Sequence, residues 1–201
     1  FNFTFVMAYH YAFFFYLHIH ATKYIFSSKN VSRSGGFMSK LEFKFNADLR
    51  VRWSECDLQG IVYNACYVTY IDIIQGEYFR NLGLNIYSAN LRRYFDMVTV
   101  KATLEYKSPA RLDDLVTVYI KTSKIGVKSL TMNAEMYRSK SDDLLNKSEM
   151  IYVAFNADTG LSRCIPNDIR LLIENYEETG ATLPIANFPD LSDFQDSKCS
   201  Q

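Results

Sequence analysis

The chain has 201 residues with 22 basic and 22 acidic side chains, a formal charge of zero and a length that suits one domain. A hydrophobic fraction of 48% excludes a disordered chain, and the lack of a basic excess argues against a nucleic-acid partner. Cys56, Cys66, Cys164 and Cys199 show neither zinc-knuckle spacing nor a disulfide framework, so reduced thiols in a cytoplasmic protein are expected. All three histidines (His10, His18, His20) fall in the first twenty residues, so everything after Lys23 works without imidazole.

The charge balance hides two unlike parts. Residues 1–37 carry three basic and no acidic residues, and Phe1 to Phe26 holds 11 of the 31 aromatic residues. Three readings compete for this leader: a membrane anchor, since Phe3 to Ile19 is largely apolar; an organellar targeting peptide; or upstream sequence foreign to a protein starting at Met38. Membrane contact is expected only if the leader is retained. Ser27 to Gly36 reads as a linker, residues 38–180 as the folded domain, and 181–201, with Pro184 and Pro189, as a loose tail.

The alternation of Leu49, Val51 and Trp53 with Arg50, Arg52 and Ser54 predicts a half-buried strand. A loop with Asp57, Gln59 and Gly60 follows. From Asn64 to about Asn81 the apolar residues Val68, Ile71, Ile73, Ile74, Tyr78 and Phe79 surround almost the whole circumference, which predicts a helix wrapped by other elements and stopped at Gly83. The period then changes to two. Strands are expected over Val98–Tyr106, Leu115–Lys121, Val127–Arg138 and Ser148–Ala157, then a short amphipathic helix after Pro166 with Asn167 as its N-cap. About five antiparallel strands around one long helix make an α+β fold whose sheet edges favour self-association.

The loop before the helix carries D-x-x-G-x-V-Y-N-x-x-Y from Asp57 to Tyr67. Together with Tyr106-Lys-Ser-Pro-Ala-Arg111 and the Phe155–Gly160…Ile165-Pro166 stretch, this pattern resembles the hotdog-fold acyl-CoA thioesterases similar to 4-hydroxybenzoyl-CoA thioesterase. The resemblance spans about Leu49 to Ile173. It implies that Asp57 attacks the thioester carbonyl or activates a water, and that the backbone N–H of Asn64 polarises the carbonyl. Gly60 would permit close backbone approach, and Tyr63 and Tyr67 would pack and wall the substrate pocket. It implies no metal, no cofactor, an acyl-CoA substrate, and a homodimer or homotetramer with the site between subunits. An acyl carrier protein in place of CoA, and a non-catalytic acyl-thioester binding module, are the alternatives.

Two features depart from the family pattern: Asp113-Asp114 stands where relatives often have Gly-Asp, and Cys56 and Cys66 flank the proposed site. A thiol nucleophile needs a cationic neighbour to ionise it, and none is evident. Asp72 and Glu77 point in different directions from the helix, so Glu77 reads as a rim charge. Arg111, Lys121, Lys124, Lys128 and Arg138 are the candidate cations for CoA phosphates.

Overall fold

The computed structural model describes residues 40–191. The three readings of the leader, and the tail beyond Leu191 with Cys199, therefore lie outside the described residues. No helix among the described residues is long and apolar enough to cross a membrane.

Strand β1 (Phe45–Arg50) is followed by a 3-10 turn (Trp53–Glu55), helix α1 (Cys66–Asn81), helix α2 (Ala89–Tyr94) and strand β2 (Asp96–Tyr106). Then come β3 (Leu115–Ile125), β4 (Ser129–Arg138), β5 (Leu144–Asn156), the two-residue β6 (Leu161–Ser162) and helix α3 (Asn167–Thr179). The sheet runs β1-β3-β4-β5-β2, with β6 added on β5, and every pairing is antiparallel. Its inner face is apolar: Val116, Val118 and Ile120 of β3, Met132 and Met136 of β4, and Met150 and Ala154 of β5 are all buried. Against it lie Tyr70, Ile71, Ile74, Tyr78 and Phe79 of α1, and α3 adds Ile169, Leu172 and Ile173 to the same core. A sheet cannot leave such a face in water, and the helix supplies the matching stripe.

The expected elements are present, with several corrections. The first strand begins earlier and ends at Arg50, the last residue with a partner on β3, which starts at Leu115. Val51 remains buried, but Trp53 sits on the 3-10 turn and is 80% exposed. Helix α1 is wrapped on one side only: Ala65, Val68, Thr69, Asp72 and Ile73 form an exposed strip. Gly83, at φ +83°, ends the helix as expected.

Strand β3 continues past Lys121 through a bulge between Thr122 and Lys124, and β5 begins four residues before Ser148. Helix α2 and strand β6 are too short to show a period in the sequence. Pro166, not Asn167, is the N-cap of α3, its fixed φ of −56° leading the chain into the first turn.

Residues 181–191, expected to be loose, pack on the domain. Leu191 is fully buried, and Leu183, Ile185 and Phe188 rest against the core. A Cβ at Gly83 would meet Ile185 Cγ1 at 2.8 Å, so this segment lies directly over the end of α1.

Candidate active site

The loop from Glu55 to Tyr63 is a small hairpin. Tyr63 N–H donates to the Glu55 carbonyl at 2.9 Å, Cys56 bridges Val62, and Asp57 N–H donates to the Ile61 carbonyl at 2.9 Å. At its tip the Asp57 carboxylate accepts the Gln59 N–H at 2.8 Å, closing an Asx turn, and the Asp57 carbonyl accepts the Gly60 N–H at 3.0 Å. Gly60 has φ +70° with no atom within 4 Å of a notional Cβ. Within this chain the left-handed turn is what calls for glycine here.

The hairpin leans on the segment after β2. Ile61 bridges Arg111, Val62 N–H donates to the Ala110 carbonyl at 2.9 Å, and Ala110 N–H donates to the Tyr67 hydroxyl at 3.1 Å. Tyr67 is 3% exposed, edge-on to Tyr106, and holds this segment against α1. Its hydroxyl is thereby engaged, whereas the Tyr63 ring lies open beside the hairpin.

Helix α1 starts where the hairpin ends. Cys66 N–H reaches back to the Tyr63 carbonyl at 2.9 Å, so the preceding amides of Asn64 and Ala65 are left over, and neither meets an acceptor among the described residues. The Tyr106 hydroxyl donates to the Asn64 carbonyl at 3.0 Å and fixes that peptide's orientation. Two free N–H groups at the positive end of a 16-residue helix form a ready site for a developing oxyanion.

A carboxylate that sequence reasoning passed over holds the loop in place. Glu55 accepts the Arg52 N–H at 2.7 Å and the Tyr70 hydroxyl at 2.8 Å, tying the 3-10 turn to the second turn of α1. Burial and this acceptor hold the Tyr70 hydroxyl well above its ordinary range. The contact spans fifteen residues, and only the Glu55–Asp57 alternation in the loop hinted at it.

The Asp113-Asp114 departure is also explained. Asp113 takes φ +65°, a conformation that favours glycine, and Arg50 Nη1 caps its carbonyl at 2.8 Å. Asp tolerates that conformation better than most side chains because its short carboxylate bonds locally. Asp114 accepts the Arg111 N–H at 2.7 Å and pairs with Arg138, which also pairs with Asp143. Arg138 is thus committed, as is Lys121 to Glu42; Arg111, Lys124 and Lys128 have no acidic partner among the described residues. Glu77 pairs with Arg80 at the helix rim, as expected.

Neither flanking thiol is activated. Burial raises the Cys56 thiol first, and the carboxylates of Asp57, Glu55 and Asp114 push it further. Burial followed by Glu55 raises Cys66. Both should react with iodoacetamide at neutral pH more slowly than free cysteine, and alkylation at the free-cysteine rate would contradict this electrostatic picture.

A curled antiparallel sheet around one helix is the hotdog fold, and the similar proteins support a thioester hydrolase. Residues 59–144 match the family model described as the thioesterase superfamily. It is 27% identical over 125 residues to the acyl-CoA thioester hydrolase YbgC of Escherichia coli O6:H1, covering 62% of this chain and 92% of the relative. The structure of a predicted thioesterase from Bacillus stearothermophilus superposes with a TM-score of 0.58 at 28% identity, covering 65% of this chain and 94% of that one. A hypothetical protein of Staphylococcus aureus in complex with CoA shares the fold at a TM-score of 0.61 and 18% identity, covering 70% and 87% of the two chains.

Proposed function

We propose that the protein hydrolyses an acyl-CoA thioester to the free acid and CoA, with Asp57 as nucleophile or general base and the Asn64 amide as carbonyl donor. The observation that carries this reading is the pair of unengaged amides at the start of α1, reached directly from the Asp57 hairpin. As the tetrahedral intermediate forms, negative charge collects on the carbonyl oxygen, where fixed N–H dipoles stabilise it without reorganising. Collapse expels the CoA thiolate, a good leaving group, so no metal or cofactor step is required. Arg111, Lys124 and Lys128 are the cations free to meet CoA phosphates, and the complex of CoA with the Staphylococcus aureus protein supports CoA as the carrier.

The assembly we propose is a homodimer or homotetramer. Among the described residues strand β2 is paired on one edge only, and its Val98 and Val100 are 38% and 57% exposed, apolar surface that a second copy would cover.

The test is thiol release from acyl-CoAs of graded length and polarity. Turnover of at least one, dependent on the protein, is the expected result. Tight acyl-CoA binding with no hydrolysis of any member would instead make the chain a binding module.

A further inference from the structure

A cavity of about 230 Å³ opens where α1, α2 and the start of β2 meet. It contains two polar side chains that the hydrolytic step does not use. Gln75 is 4% exposed and Tyr152 is 5% exposed, and both line the cavity. The Gln75 carbonyl has no donor among the described residues, and its amide makes only a 3.6 Å contact with the sulfur of Met132. The Tyr152 hydroxyl has no partner there either, and burial, then the nearby Asp72 and Tyr87, keep it protonated. Both polar atoms keep accessible surface on the cavity while the rest of each side chain is buried, so one acceptor and one donor held there mark a place for a ligand group.

The walls around them are built. Tyr87 lies flat on α1 because residue 76 is glycine: a Cβ there would come within 2.6 Å of the Tyr87 hydroxyl, which donates to the Asp72 carbonyl at 3.2 Å. Arg92 is held by Asp96 at 3.2 Å, so it is not a free cation for an anionic ligand, and Asp72 adds negative charge. Phe95 supplies an apolar side.

Position relates this cavity to the Asp57 hairpin. Strand β2 touches Asn64 at one end through Tyr106 and contributes Met97 and Thr99 to the cavity at the other. Along α1, Asp72 follows Asn64 by eight residues, roughly 12 Å at ~1.5 Å per residue. The exposed strip of α1 runs between the two points.

We propose that this cavity binds the far end of the acyl group and selects a neutral hydroxyl there, donating to Gln75 Oε1 and accepting from the Tyr152 hydroxyl. The proposal rests on the thioesterase reading for the position of the carbonyl. A terminal methyl would displace water from both groups and bond to neither, and a terminal carboxylate would meet Asp72. An extended eight-carbon chain is ~9 Å long, and a hydrogen bond of ~2.9 Å at each end brings its reach to ~15 Å.

The experiment compares kcat/KM for 8-hydroxyoctanoyl-, octanoyl- and suberoyl-CoA. The expected order places the hydroxylated substrate at least ~10-fold above the other two, with that ratio falling toward one in Gln75→Leu and in Tyr152→Phe. Two separate variants guard against a folding failure in either. An unchanged ratio in both overturns the proposal. So does a changed oligomeric state with unchanged selectivity, which would mean that a second copy fills the cavity.

Calorimetric binding of the same three CoA esters to Asp57→Asn, with and without Gln75→Leu, separates the two readings. A Gln75-dependent preference in affinity without any wild-type turnover retains the pocket and rejects hydrolysis. Equal affinities reject the pocket whatever the turnover.

Discussion

Asp57→Asn should lower turnover of every accepted thioester by ~10²–10⁴-fold, the usual worth of a positioned acid–base group, while leaving the melting temperature nearly unchanged. The asymmetry follows from the loop. Within the hairpin this side chain accepts the Gln59 N–H, and an asparagine oxygen in the same place keeps that bond and the Asx turn. Only the negative charge and the basic lone pair disappear. KM should move little, since neither the proposed acyl cavity nor the cations proposed for CoA include Asp57. Steady-state kinetics beside a thermal melt decides it: wild-type kcat would remove Asp57 from the chemistry, and a collapsed melt would show that the charge is structural.

Glu177→Ala should be among the more destabilising single substitutions in the domain, by about 2–4 kcal/mol in chemical denaturation. Glu177 stands on α3, but its carboxylate accepts the Thr122 N–H at 2.7 Å and the Tyr78 hydroxyl at 2.7 Å. Thr122 adjoins the bulge in β3, so the carboxylate caps an amide beside a break in the ladder. Truncation strands that amide and leaves the buried Tyr78 hydroxyl only a 3.2 Å contact with Thr122 Oγ1.

Glu177→Gln behaves differently because its amide oxygen can take both donors. Burial pushes the Glu177 carboxyl above its ordinary value, against the opposing pull of Thr122, Tyr78, Lys121 and Lys44. The folded state therefore holds this proton more tightly than the unfolded chain does. Stability is greatest below the unfolded pKa and declines as pH rises from there through the raised folded value. The glutamine variant lacks this decline, so its stability relative to wild type should improve from pH 4 to pH 8. A difference independent of pH, or of opposite slope, would contradict the burial argument.

How much was legible beforehand depended on sequence distance. The Asp57–Tyr67 pattern could be read because its residues are contiguous on one hairpin and one helix start, even though Tyr106, Ala110 and Arg111 hold them from a distance. The β3–β5 alternation was visible for the same local reason. The end of β1 was not, because it is set by where β3 begins, 65 residues later. The Glu177 cap joins residues 55 and 99 positions apart, and Gln75 and Tyr152 meet across 77. Neither pair has a local period or motif, and each becomes visible only when α1 is laid on the sheet. The packed segment 181–191 misled for a related reason: its prolines and small residues look like a tail, yet Ile185 covers the end of α1 and Leu191 is buried in the core.

The exposed ring at position 53 has an optical consequence. It is the chain's single tryptophan against fifteen tyrosines, and it stands four residues before Asp57. Intrinsic emission excited at the red edge therefore reports the hairpin that carries the carboxylate, and not the packed interior. A ligand or a second copy settling over that hairpin shifts the spectrum to shorter wavelength, while unfolding of the core changes the indole's surroundings little. Tyrosine absorbance and circular dichroism follow the interior, so the two signals together separate events at the loop from loss of the fold.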